Sequence, residues 1–266
     1  MSALYGSNAT GGVINIITRK GTGIPKSSFG IEGGSYNTWK EYAGSSGSID
    51  RFNYSLNISH TDSDGFSIAD NRNTYSPHAG NTSESDGWRN TTFSGRAGFE
   101  INPVFEVDAT LRAMNSTVNL DNFGPGYTGD CFSSWPSYTA QPDGRKNNHQ
   151  DSEQYLGRLD VKNRLFDGFL KSDLYYQLSH QNRTGYNNDG NQAYDYLGEN
   201  QETGWQGTFT MTKTNALTLG TSYYREDMKS ESSGINEQTS DTKSLWAGDL
   251  ATLFDSLNLA TALRYD

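Results

Sequence analysis

Two groups of residues in this 266-residue chain have side chains suited to chemistry. Asp121, Asp130, Asp143 and Asp151 fall in or beside one polar stretch, and Asp189, Asp195 and Glu199 in the next, within a run rich in Asn and Tyr. Hard cations such as calcium take six to eight oxygens from carboxylates, amides and backbone carbonyls, and two adjacent acidic loops are able to supply such a set. The spacing is not that of an EF-hand, and the competing reading is that these acids keep exposed loops soluble. Tyr127, Trp135, Tyr138, Tyr186 and Tyr194 are contacts suited to a large planar ligand, or else pack the loops themselves. His60, His78, His149 and His180 are scattered without metal-ligand spacing. No Gly-x-Ser-x-Gly elbow and no phosphate-cradling Gly-x-x-x-x-Gly-Lys occurs. Catalysis finds no footing, and no catalytic residue is assigned.

The elements that must carry these loops follow from a period of two. Phe52, Tyr54, Leu56 and Ile58 share one face while Asn53, Ser55, Asn57 and Ser59 share the other. The same alternation sets Phe93, Ala97 and Phe99 against Arg96 and Glu100, and Phe105, Val107, Ala109 and Leu111 against Glu106, Asp108 and Arg112. It recurs with Leu159, Val161 and Leu165 against Arg158, Asp160, Lys162 and Arg164, then Leu170, Leu174, Tyr176 and Leu178 against Lys171, Asp173 and Gln177. Trp205, Phe209 and Met211, then Leu217, Leu219 and Tyr223, then Trp246, Leu250 and Phe254, and finally Leu257, Leu259, Leu263 and Tyr265 continue the apolar band. An Arg or Lys facing lipid at mid-membrane costs roughly 2–4 kcal/mol, so the charged faces belong in a wet lumen.

Connections alternate between tight and long. The tight ones are Asp50-Arg51, Asn102-Pro103, Asp167-Gly168, Thr214-Asn215 and Asp255-Ser256, all with turn chemistry. Long ones are expected at about 65 to 88, 119 to 151, 183 to 201 and 230 to 242, with a short member near 36 to 38. This parity is that of an outer-membrane barrel with periplasmic turns and extracellular loops. About eleven strands result. Only 33% of the residues are apolar, with 29 Gly and 16 Tyr, which is too polar for a packed α/β enzyme but suits strands with one apolar face. The net charge of −10 disfavours nucleic acid, and the single Cys131 has no internal disulfide partner.

The N-terminal stretch Ser2 to Gly21 holds Ala3-Leu4-Tyr5-Gly6-Ser7, a Gly11-Gly12 turn and the β-branched run Val13-Ile14-Asn15-Ile16-Ile17-Thr18. Its motif residues Leu4, Tyr5, Gly6, Gly11, Gly12 and Asn15 resemble the end of the plug domain of TonB-dependent outer-membrane receptors. The resemblance implies a plug end over 1–21 and the N-terminal half of an antiparallel transmembrane β-barrel over 22–266. Met1 is then not the natural start, and the chain is a fragment. It further implies location in the bacterial outer membrane, contact with its lipid, and coupling to the TonB energy-transducing complex through a plug N-terminus that this stretch lacks. The ligand would be a scarce small molecule such as a corrinoid or metal chelate. The run from Phe99 to Lys229 looks most like cobalamin receptors, in which calcium orders acidic extracellular loops, and Asp121, Asp143, Asp189 and Asp195 fall where that family has its loop aspartates, so the resemblance implies calcium there; no other cofactor is required. Alternatives are a ferric-siderophore receptor, a plugless porin and a barrel enzyme with a rim of Asp62, Asp64, His60 and His180; the plug-like motif disfavours the last two.

Overall fold

The computed structural model describes residues 18–66, 85–120, 148–187, 190–254 and 256–266. They form one eleven-stranded antiparallel sheet in which every strand pairs with its neighbours in sequence. The strands are β1 Lys26–Gly34, β2 Thr38–Ile49, β3 Phe52–Ser63, β4 Trp88–Glu100, β5 Phe105–Asn119 and β6 His149–Leu165. They continue as β7 Leu170–Tyr186, β8 Gln192–Thr212, β9 Asn215–Ser230, β10 Ile235–Leu253 and β11 Leu257–Tyr265. Among the described residues the only helical turn is Phe166–Gly168, and no helix is long and apolar enough to cross a membrane. The expected fold, part of a transmembrane-type β-barrel, is the one found.

Polarity is inverted relative to a water-soluble sheet. The buried side chains are almost all polar (Asn53, Asp108, Ser152, Asp160, Ser222, Ser244), whereas Phe52, Leu56, Ile58, Phe99, Leu111, Leu159 and Leu174 are exposed. Cross-strand pairing puts Asn53, Gly98, Asp108, Asp160, Tyr175, Gly204, Ser222 and Ser244 in one row on the inner face. The parallel row Phe52, Phe99, Val107, Val161, Leu174, Trp205, Thr221 and Leu245 lies on the outer face. An apolar outside and a polar inside suit a wall between lipid and a wet lumen.

Three expectations change. The connection expected at 183 to 201 is only 187–191, because β7 and β8 run on to Tyr186 and from Gln192. The one expected at 230 to 242 shrinks to the turn 231–234. These strand ends are polar on both faces, so no alternation marks them; their backbone ladders continue beyond the apolar band, where the side chains meet water. Trp246 also points inward: it lies over Gly220, where a Cβ would sit 2.1 Å from the indole ring, and is 7% exposed. The registers with β9 and β11 give the outward positions of β10 to Leu245, Ala247, Asp249, Ala251 and Leu253 instead, and put Leu250 inward with Trp246.

Tight turns fall at or within one residue of where turn chemistry places them, the β8–β9 turn being Lys213-Thr214, while Asp255 lies outside the described residues. Asp50 adopts φ 50° between β2 and β3, and Phe166 and Asp167 adopt φ 55° and 54° between β6 and β7.

Candidate functional site

The inner wall of β3–β8 carries a belt of charge, and the chain entering the sheet is fastened to it. Asp108 is the centre. Its Oδ1 accepts from Arg96 Nε and Nη2 at 3.2 and 3.1 Å, and its Oδ2 accepts from Lys162 Nζ at 2.8 Å. The three side chains come from adjacent strands β4, β5 and β6 and share the inner face through alternation. The two cations leave Asp108 only 2% exposed.

Arg96 has one donor left over. Its Nη1 donates to the carbonyl of Thr18 at 2.9 Å, a contact spanning 78 positions of sequence. Lys20 then pairs with Glu106, and the Ser48 N–H donates to the Gly23 carbonyl at 2.7 Å. At Gly21 the segment comes so close to the wall that a Cβ would lie 1.9 Å from the Tyr54 carbonyl oxygen and 2.5 Å from that of Gly47. Residues 18–23 are thus held by one hydrogen bond from a guanidinium, one ion pair, one backbone bond and one position that only glycine fits.

A second network continues the belt toward β8. Arg158 donates from Nε to Asp160 at 2.8 Å and from Nη1 to Gln177 at 2.9 Å, and its guanidinium stands 4.2 Å over the Tyr175 ring. The Tyr175 hydroxyl and Gln177 Nε2 both donate to Glu202, at 2.8 and 2.6 Å. Between this network and Thr18 lies a recess of about 420 Å³ that also involves Arg112 and Tyr224.

Of the sequence-predicted metal and ligand residues, Asp121, Asp143, Asp189, Tyr127, Trp135 and Tyr138 lie outside the described residues, as do Leu4, Tyr5, Gly6, Gly11, Gly12 and Asn15. Asp195 is described, and its carboxylate is engaged. Its oxygens accept from the backbone N–H groups of Ser232 and Glu231 at 2.8 and 2.9 Å, tying β8 to the β9–β10 turn. Those bonds, the Ser232 one first, hold its pKa below the ordinary carboxylate value. Tyr194 and Tyr186 take opposite faces. Tyr194 covers Gly185 and donates to Gln150 Oε1 at 2.9 Å, whereas Tyr186 stacks on His149 with centroids 4.7 Å apart. Among the described residues no three His, Cys, Asp or Glu side chains gather as a metal site.

The sequence shows that Arg96, Glu106, Asp108 and Lys162 share a charged face. It gives no signal for the contacts with Thr18 and Lys20, which depend on a close approach between distant segments.

No family model matches the chain, and no curated protein matches it. Solved structures do match in fold. The siderophore receptor PirA from Pseudomonas aeruginosa matches with a TM-score of 0.69 and 17% identity over 98% of this chain and 40% of that one. A variant of the ferric enterobactin receptor PfeA from the same organism matches at TM-score 0.71 and 19% identity, over 98% and 42%. The ferripyoverdine receptor of its outer membrane matches at 0.58 and 14%, over 92% and 37%. The chain shares the fold of these proteins and spans about two-fifths of their length.

Proposed function

We propose that this chain is the end of the plug, over 1–21, and the first half of the barrel, over 22–266, of a TonB-dependent receptor in the bacterial outer membrane. The observation that carries this reading is the fastening of residues 18–23 to a charged inner wall by Arg96, Lys20 and Gly21. A segment that enters the lumen and is gripped there is what a plugged barrel needs, and an open porin has no use for it. The apolar outer face supplies the lipid contact. Both β1 and β11 are edges of the sheet, and each unpaired backbone group in hydrocarbon costs several kcal/mol; further strands must cover them in a bilayer. The role is transport rather than catalysis, energised through TonB acting on the plug.

The ligand we assign is a ferric siderophore. The three structures named above are a siderophore receptor, a ferric enterobactin receptor and a ferripyoverdine receptor, and this supports the metal-chelate reading above the corrinoid one expected from the run Phe99 to Lys229. Of the loop acids that expectation names, Asp195 is occupied with a turn.

The test is to express the whole locus in a Gram-negative host stripped of its own receptors, then measure binding and uptake of radio-iron-loaded siderophores and of radiolabelled cobalamin. Saturable siderophore binding with uptake that needs an energised inner membrane is expected. Cobalamin uptake without siderophore binding would overturn the ligand assignment, and free diffusion of both would overturn the plugged receptor.

A further inference from the structure

The inner face of β1–β4 holds cations that its carboxylates do not answer. Lys26, Ser46, Ser55 and Arg96 pair across the ladders in one row. Between this part of the wall and the entering chain lies a recess of about 360 Å³, bounded on the chain side by Thr18 and Arg19. Three cations, Arg19, Lys26 and Arg96, line it, and no Asp or Glu does. The row is level with the middle of the lipid-facing band, since Ser55 lies midway between the outward Phe52 and Ile58 of β3.

The carboxylates around the recess are committed or distant. Asp108 answers both Arg96 and Lys162, so that trio keeps one positive charge. On the inner faces of β1–β4 the carboxylates are Glu32, which is paired with Lys40 at 3.5 Å, and Glu100, which lines a different recess. Glu100 stands four residues along β4 from Arg96, about 13 Å away. Arg19 and Lys26 have no carboxylate partner among the described residues, and both are exposed. Donors accompany the charge: the hydroxyls of Ser46, Ser55 and Ser94 line the recess and make no side-chain hydrogen bond among the described residues. Cations with free O–H donors and no competing carboxylate suit an oxyanion. The volume admits one arm of a chelate rather than a whole one.

We propose that Arg19 and Lys26, with the serine hydroxyls between Lys26 and Arg96, form an oxyanion site at mid-height of the lumen, which holds one negatively charged arm of the ferric chelate as it passes residues 18–19. This rests on the transport reading above and narrows its substrate class to chelates with anionic arms. The site is open to water and screened, so it holds its ligand weakly, and a weak site on a path can pass its ligand on. Its effect falls on transit and not on capture, because the row lies at mid-strand and the long connections lie at the strand ends.

The experiment uses the product of the whole locus and has two parts. In the first, the purified protein is acylated at its lysines with and without inorganic pyrophosphate, and mass spectrometry reads the rates at Lys26 and at Lys213, which is exposed in the β8–β9 turn. A saturable slowing of about threefold at Lys26, absent at Lys213 and weakened in R19Q, is expected. No slowing, or equal slowing at both lysines, would overturn the site. In the second part, surface binding of a radio-iron-loaded tricatecholate is measured on de-energised cells and its uptake on energised ones, for the wild type, for R19Q/K26Q and for the charge-keeping R19K/K26R. An uptake rate per bound chelate about tenfold lower in R19Q/K26Q, with recovery in R19K/K26R, is expected. Wild-type uptake in R19Q/K26Q would overturn the role in transit, and equal loss in both double variants would reduce the cations to packing. Failed assembly of R19Q/K26Q alone would overturn the proposal in favour of a brace for the strand that pairs with β1. A wild type that binds no tricatecholate refutes the ligand assignment beneath, whatever the lysine rates show.

Discussion

Replacing Asp108 by Asn removes one negative charge from between two cations. The carboxylate side chain is 3% exposed, Arg96 is 15% exposed and Lys162 is 38% exposed. Truncating one partner of a fully buried ion pair typically costs about 3–5 kcal/mol, chiefly through the charge left behind. Here Lys162 is open enough to water to be screened, so the stranded charge is mainly that of Arg96, and a loss of about 2–3 kcal/mol is expected. The assay is urea unfolding of the detergent-solubilised protein, followed by tryptophan fluorescence and by the mobility shift of folded barrels on unheated gels. A double-mutant cycle with Arg96→Gln isolates the pair and should return about 1–2 kcal/mol of coupling. The same substitution also loosens Arg96 from its orientation toward Thr18, so trypsin should cut faster after Lys20. A loss below about 0.5 kcal/mol, or a coupling of zero, would refute the claim that Asp108 organises the wall.

Gly21→Ala should displace residues 18–23 from the wall, since the new Cβ would sit 1.9 Å from a backbone oxygen that cannot move aside; faster trypsin cleavage after Arg19 and Lys20 checks this, and wild-type protection would contradict it. Gly220→Ala should swing Trp246 off β9, because the Cβ would fall 2.1 Å from its ring; the emission maximum of that tryptophan should move to the red. Val161→Arg, outward at mid-band, should cost roughly 2–4 kcal/mol and prevent assembly in the membrane, whereas Asn57→Arg, on the inner face opposite the uncharged Gly44 and Ser94, should assemble normally. Asp195 has a depressed pKa in the folded state, so its hold on the β9–β10 turn is complete above the ordinary carboxylate pKa and is lost as pH falls through the lower folded value. Amide exchange at Glu231 and Ser232 should accelerate only in that acid range, and Asp195→Asn should show the faster exchange already at neutral pH.

Much of the fold could be read from period-two alternation, since a lipid-facing strand must keep one face apolar and a lumen-facing row must not. The reading stopped where that requirement stops. Residues such as Arg183 to Tyr186 on β7 and Arg225 to Ser230 on β9 are strand by hydrogen bonding alone; water on both sides erases the pattern, and they resemble loop. Trp246 departs from the pattern for the opposite reason: an aromatic ring on a strand reads as lipid-facing, but the small Gly220 across the ladder makes room for it inside. The site was half legible. Charge on the inner faces of β4–β6 was visible, but its use in gripping residues 18–23 depends on tertiary approach.

The drift of the apolar band then says what this sheet is built to become. On β3 the outward apolar residues run from Phe52 to Ile58. Following the ladders across, Phe52 is level with Leu245 of β10, and Ile58 is level with Thr239. Yet on β10 the outward apolar positions begin at Leu245 and end at Leu253, interrupted by Asp249, while Thr239, Asp241 and Lys243 above them are polar. The upper margin has therefore slid from Thr239 to Leu245, six positions, and the lower from Leu245 to Leu253, eight positions, over seven strand-to-strand steps. That is about one residue per step. With about 3.3 Å of rise per residue and about 4.8 Å between strands, a membrane plane cutting the sheet along this band meets the strands at a tilt of about 35°, the value a closed barrel requires. A flat or soluble sheet has no reason to stagger its apolar residues in this way. The stagger also accounts for the polar strand ends on β8–β10: they stand clear of the membrane on the side where the long connections lie.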